Sequence, residues 1–355
     1  MRCSCHVTSW GGPNALLVRA RQKLVITCLA LGATEEYGTC DWPTKVVLQG
    51  SNSGAAIAQL RGLIVHDHIQ TTNSKSIIEL GGAVATNGET RLAIFNANFV
   101  RNTAIGLKFG GKGGAIYAQG GSLAITGAQF TGNQAKKHGI VQKKNAQGNG
   151  GSHRGEGGAI YSSATTLAIT RAAFTGNHAF LGSGGAIAMA GGTMTIASAR
   201  FTNNEAYFKG GAIFVSSGTL TMTSVEFRFN RINYQQGGSF GGGAVHSGGT
   251  LTISGAQFVG NQAKGGVGQG GAIFILGNTL TITNAQFLNN RATRKGGGAI
   301  FAHHEATIQL LNVTFDGNKP NGLFCAGNEL KGLPPIAVLS DTRTPVSTKY
   351  TRTCD

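Results

Sequence analysis

Two compact groups combine histidine with a carboxylate, His66-Asp67-His68 and His303-His304-Glu305. These residue types hold metal ions or move protons. On an extended strand His66 and His68 share a face, so the first group is a candidate metal or acid–base site. Polar filler on an exposed terminal strand is the plainer account of it. Cys3-Ser4-Cys5-His6 offers thiolates and an imidazole but has no second ligand pair at zinc spacing. Cleavage of a polysaccharide needs clustered carboxylates, to hold calcium or to act as an acid and base pair. The acids here are scattered as Glu79, Glu89, Glu156, Glu205, Glu226, Glu305 and Asp316, with no two repeats placing one at the same position. No catalytic residue, metal ligand or cofactor is therefore assigned, and the chain is expected not to be an enzyme. No glycine-rich phosphate loop opens a helix followed by Lys-Ser or Lys-Thr.

Three other groups could bind rather than react. Lys136, Lys137, Lys143, Lys144 and Arg154 cluster around one long loop against Glu156, in a chain with 30 basic and 14 acidic residues and a net charge of +16. Such a surface attracts polyanions, although charge runs often serve solubility alone. Nucleic-acid binding would rest on charge without interleaved aromatics, so no specific nucleic acid is expected. A second group is a column of mostly aromatic residues, Tyr117, Tyr161, Phe214, His246, Phe274 and Phe301, with alanine at 188. Its tolerance of histidine and alanine favours an outward orientation and a strip for stacking on sugar rings or a protein partner. An inward orientation would make it core. The third is threonine-rich, with Thr193 and Thr195, Thr219, Thr221 and Thr223, Thr250 and Thr252, and Thr279, Thr281 and Thr283. That grid is similar to those of ice-binding β-solenoids, and threonine is also the common filler of exposed strands.

These residues are positioned by a repeat. Eight times between Gly81 and Asn318 the chain reads Gly-Gly-Ala-(Ile/Val), then a Leu-x-Ile strand, then Phe-x-x-Asn. Gly113-Gly114 with Phe130 and Asn133, Gly157-Gly158 with Phe174 and Asn177, and Gly184-Gly185 with Phe201 and Asn204 are three copies. Gly210-Gly211 with Phe227 and Asn230, and Gly270-Gly271 with Phe287 and Asn290, are two more. Glycine to phenylalanine is always 16 to 18 residues, while asparagine to the next glycine pair varies from 6 to 24. A fixed module with one variable loop marks a solenoid. The shortest period, 26 residues, leaves room for about three short strands and no ordinary helix. Alternation in Leu123-Ala124-Ile125-Thr126 gives strands with one buried face.

The expected fold is all-β, a right-handed single-stranded parallel β-helix with N- and C-terminal caps. Like residues should stack over like about 4.8 Å apart, with phenylalanine columns inside and an asparagine ladder at a turn. The expected boundaries are 1–53 for a signal or N-terminal cap, 54–318 for the repeats and 319–355 for a C-terminal cap or tail. A ninth copy is expected in Gly54-Ala55-Ala56-Ile57 with Leu63-Ile64-Val65 and Ile69. Leu24 to Ala33 after Arg19, Arg21 and Lys23 reads as a secretory signal or as another degenerate coil. No apolar run is long enough for a transmembrane helix. Cys3, Cys5, Cys28 and Cys40 precede the repeats and Cys325 and Cys354 follow them, which suggests disulfide-closed caps in an oxidising compartment, with Cys325–Cys354 the natural C-terminal pair.

Tandem Gly-Gly-Ala-Ile and Phe-x-x-Asn, as in Gly157-Gly158-Ala159-Ile160 with Phe174-Thr175-Gly176-Asn177, resemble the repeats of the chlamydial polymorphic outer membrane protein family over roughly residues 54 to 318. The resemblance implies a secreted or surface-displayed adhesin, an autotransporter passenger whose partner is a host or neighbouring-cell surface protein or an anionic glycan, extracellular and outer-membrane associated. The chain is short for that family, and residues 319–355 with Pro320, Pro334, Pro335 and Pro345 lack the strand series of a barrel. The alternative is a carbohydrate-binding or polysaccharide-cleaving β-helix with a pectate-lyase-like fold.

Overall fold

Side chain and backbone are described by a computed structural model over residues 82–106, 110–137, 155–233, 241–265, 268–276, 278–293, 296–303 and 305–325, with strand backbone also placed within 5–72, at 234 and 240, and within 336–353. Among the described residues there is no helix, and parallel strands stack into a β-solenoid.

One turn of the stack shows the plan. Ile160–Ser163 follows the glycine pair, Thr165–Thr170 carries the Leu-x-Ile pattern, Ala173–Thr175 carries the phenylalanine, and His178–Ala179 makes a short last side. The sides stack as the glycine face, the long face and the short face, the long one bending at Arg171, whose φ is 51°. Each strand lies parallel to its copy one period on, as in Leu167↔Met194 and Phe174↔Phe201. The 17-residue insertion between Asn133 and Gly157, relative to the next loop, leaves this register intact, because it falls where the chain leaves the stack.

Alternation decides what is inside. Thr165–Thr170 has Leu167 and Ile169 buried with Thr166 and Ala168 exposed between them. Phe99, Phe130, Phe174, Phe201, Phe227, Phe258, Phe287 and Phe315 are fully buried in one column. Neighbouring rings are stacked, at 4.7 Å and 2° for Phe130 over Phe174 and 5.2 Å and 18° at the last step, Phe287 to Phe315. Each ring removes a large apolar surface from water, and offset stacking adds to that burial.

Beside this column runs the asparagine ladder. The amide nitrogen of Asn177 donates to Asn204 Oδ1 at 2.9 Å and to the carbonyl of Phe130 at 2.9 Å. The Asn177 backbone N–H also donates to Asn204 Oδ1, at 3.0 Å, and the pattern repeats from Asn102 to Asn318. An asparagine at this corner thus uses both amide protons and both oxygen lone pairs, which is what a buried amide must do.

The two glycines of each pair answer different demands. Gly184 adopts φ 69°, where a Cβ is strained. Gly185 has an ordinary φ, but a Cβ there would collide with the carbonyl oxygen of Gly211 in the next turn.

Antiparallel strands cover two faces at the C-terminal end of the stack and part of one face at the N-terminal end. Tyr350–Thr353 and Thr342–Val346 pair antiparallel with Thr307–Asp316, and Ile336–Leu339 pairs antiparallel with Leu323–Cys325. At the other end Cys5–His6 runs antiparallel to Lys23–Thr27. Such strands occupy edges that would otherwise offer free ladder groups.

The ninth copy requires a correction of frame. Ala56–Arg61 lies beneath Thr90–Phe95 of the long face, and Leu63–His66 beneath the phenylalanine strand, with Val65 opposite Phe99. The partner of the glycine-face strand Val84–Asn87 is Lys45–Gln49, not Gly54-Ala55-Ala56-Ile57. Spacing of Ala58, Leu60 and Val65 matches Leu92, Ile94 and Phe99, and that longer apolar register outweighs a four-residue likeness to the glycine motif. Lys23–Thr27 pairs in parallel with Ala56–Arg61, and Ala15–Arg19 with Lys45–Gln49, which is the frame of a further turn.

Candidate binding surfaces

The aromatic column sits on the glycine face, alternating with the core isoleucines. Ile116, Ile160 and Ile187 belong to the central core, while Tyr117, Tyr161, Ala188 and Phe214 pack with Ala85 in a separate cluster on the other side of the same strands. The side chains point away from the central core, yet the column is not an open strip. Tyr117, Tyr161, Phe274 and Phe301 are 1–6% exposed, and only Phe214 is partly open. Residues leading into glycine pairs cover three of these rings, Lys112 at Tyr161, Gly241 at Phe274 and Gly296 at Phe301. Gly241 and Gly296 lie so close over the Phe274 and Phe301 rings that a Cβ at either would strike the ring. A one-strand pattern reports which side a residue faces, not what a loop lays over it.

The covering contacts are partly polar. Lys112 Nζ lies 4.2 Å from the centre of the Tyr161 ring, donates to Tyr161 Oη at 3.0 Å and pairs with Glu156 at 3.5 Å. Burial pulls the Lys112 ammonium down, but Tyr161, Glu156 and Tyr117 outweigh it and raise its pKa above the usual lysine value. Tyr117 is raised by burial and by Tyr161, and its hydroxyl donates to Gln119 Oε1 at 2.7 Å. His246 stacks on Phe274 at 4.6 Å and 5° and lies 5.5 Å from Phe214. Burial and the neighbouring Lys209 charge, against a hydrogen bond to Gly241, push it down to about 3, and Nδ1 has no partner among the described residues. His246 is therefore a neutral member of an aromatic stack.

The threonines line up on the outside of the long face. Thr193, Thr219, Thr250 and Thr279 are in register, as are Thr195, Thr221, Thr252 and Thr281. The same columns hold Ser122, Ala124, Ala168 and Arg91.

The short face is basic. Lys136, Lys137, Arg231, Lys264, Arg291 and Lys319 lie on its rungs with Glu205 as its carboxylate, which accepts from Arg231 Nη2 at 2.7 Å. His178 beside Glu205 is lowered by burial, with Glu205 opposing and Arg231 adding to the effect. Around the corner Glu226 pairs with Arg200 at 3.2 Å and with Arg228. Both cross-rung pairs, Arg200–Glu226 and Glu205–Arg231, are one period of 26 residues apart in sequence, the signal by which they can be found.

Between these arginines sits Phe229, 53% exposed, with φ 54°. It is the second x of its Phe-x-x-Asn. The same corner holds Arg101, Gly132, Gly176, Asn203, Gly260, Asn289 and Gly317, all with positive φ. Sequence reading passed over it by treating the two x positions as free.

Lys143, Lys144, Arg154, His68 and His304 lie outside the described residues, as do the side chains of His66 and of the four N-terminal cysteines. Cys325 is buried on the last strand of the glycine face, and Cys354 lies outside the described residues. Among the described residues no three His, Cys, Asp or Glu side chains gather where they could share a metal ion, and no helix is long and apolar enough to cross a membrane.

Residues 127–163 and 198–216 match the model of the Chlamydia polymorphic membrane protein repeat. Both stretches begin at the bend of the long face, Gly127 and Ser198, and run through Phe-x-x-Asn to the glycine-face strand. These two stretches thus carry that repeat pattern. No curated protein and no solved structure matches the chain.

Proposed function

We propose that this β-helix is the passenger-like part of a secreted or surface-displayed adhesion protein, extracellular and outer-membrane associated, that acts by binding along its sides and carries out no chemistry. The match of two repeats to a membrane-protein repeat supports this reading. The fold is consistent with it, because a stack of parallel turns offers long flat sides on which variable loops and outward residues change without disturbing the core. The partner is a host or neighbouring-cell surface protein or an anionic glycan.

Extracellular display also accounts for cysteines at the ends. Cys325 is in register with Ala302, while Cys354 follows Thr353, which pairs with Thr307. A Cys325–Cys354 bond would tie the end of the last glycine-face strand to the chain just past the strand that covers the long face. Peptide mapping of unreduced protein should recover that pair.

The test of the function is binding of the purified, labelled protein to intact epithelial cells at rising ionic strength. Saturable binding weakened by salt is expected, since the outward charge is basic. Absence of saturable binding, or release of unsaturated or shortened products from pectin, alginate or chitin fragments, would contradict it.

A further inference from the structure

We infer that the corner at Phe229, with the basic short face beside it, is the docking strip for an extended anionic polysaccharide. This deepens the surface-recognition reading and rests on it.

The first reason is backbone. At this corner every turn adopts positive φ, and six of the eight turns place glycine or asparagine there. Those residues reach the left-handed region with little penalty, whereas a bulky side chain is strained in it. Phe229 accepts the strain without gaining burial, since more than half of it remains in water and it is the most exposed large apolar side chain described. A strained, solvent-facing aromatic ring points to use of the ring. Gly260, in the next turn, makes room: a Cβ there would sit 2.7 Å from two atoms of the Phe229 ring, so the ring extends along the stack over a bare glycine.

The second reason is charge. Arg231 is two residues on from Phe229, with Arg291 and Lys319 above it in the same column, and on the intervening rung Gln262 holds the column with Lys264 two residues along. Rungs stand about 4.8 Å apart, comparable with the advance per sugar of an extended chain, so acidic groups on every second sugar would meet the alternate rungs of Arg231 and Arg291. Arginine binds carboxylate and sulfate groups with two parallel hydrogen bonds. A single exposed ring suits the C–H face of one sugar, whereas a membrane surface would call for a wider apolar patch.

The test compares wild type, Phe229→Asn and the double variant Lys264→Ser/Arg291→Ser. Probes are heparin-derived oligosaccharides, hyaluronate oligosaccharides of equal length, neutral dextran and phosphatidylserine vesicles. Asparagine already occupies this corner as Asn203 and Asn289, so Phe229→Asn should fold with an unchanged or higher Tm. Its affinity for one or both anionic oligosaccharides should fall at least tenfold. The double variant should weaken the same binding and flatten its salt dependence, and dextran should not bind. The inference is overturned by no binding to either anionic oligosaccharide, by equal affinity in the variants, by a lower Tm in Phe229→Asn, or by vesicles binding in place of polysaccharide. If cells still bind the wild type while both oligosaccharides do not, surface recognition stands and this site falls.

Discussion

His246 shows how a single residue carries information about its layer. Its folded pKa of about 3 lies below the free value of 6.5, so the neutral ring contributes stability that is fully present above pH 6.5 and declines as pH falls toward 3. The penalty at pH 4 is about 3 kcal/mol. His246→Phe, which extends the neighbouring Phe274 and Phe301 stack, should leave stability at pH 7 unchanged or raised and should remove much of the loss at pH 4. Thermal melts at the two pH values check this, and an equal acid loss in both proteins would refute the buried, neutral assignment. The ladder asparagines allow a sharper substitution. Asn204→Asp keeps shape but loses the two donors that reach Phe174 O and Asn230 Oδ1, and places a carboxylate against both oxygens. A buried unmade hydrogen bond costs about 1–3 kcal/mol, more for a charged group, so denaturant midpoints should show Asn204→Asp well below wild type. Phenylalanine and asparagine columns were legible in the sequence because they depend only on the repeat period. The covering of Tyr161 and Phe274 was not, because it is done by loops whose lengths vary from turn to turn.

At the scale of the element, glycine is used in two ways that substitution separates. Gly176 has φ 61° with open space around it, so Gly176→Ala should cost only the left-handed strain, about 1–2 kcal/mol. Gly185→Ala must push apart two strands of the stack, since its Cβ meets the Gly211 carbonyl, and should cost considerably more or abolish folding. Chemical denaturation of the pair decides the order, and a milder Gly185→Ala would mean that the turns are not in the close contact described. The strand pattern of the repeats was readable from Leu-x-Ile alternation. The first turn was misframed because Gly54-Ala55-Ala56-Ile57 imitates the motif while Ala58, Leu60 and Val65 carry the register. Likewise Phe229 is visible only after aligning the second x of all eight turns, where glycine and asparagine prevail.

On the scale of the whole molecule, stability is local and sequential, since each turn contacts its neighbours and nothing further along the stack. Phe201→Ala, in the middle of the column, should cost about 3–5 kcal/mol and divide the stack into two halves. Hydrogen exchange should then show faster exchange in the turns on either side of Phe201 than in those near Phe130 and Phe287. The most direct measurement of the stack itself is paired cysteine cross-linking on the long face. Thr221 and Thr252 lie in adjacent rungs in register, with Thr281 one rung beyond Thr252. Adjacent rungs are about 4.8 Å apart, within disulfide reach, and alternate rungs are not. Under mild oxidation, Thr221→Cys with Thr252→Cys should yield the linked peptide pair by mass spectrometry, and Thr221→Cys with Thr281→Cys should not. Linkage of the distant pair in preference to the adjacent one would contradict the stacked-turn account.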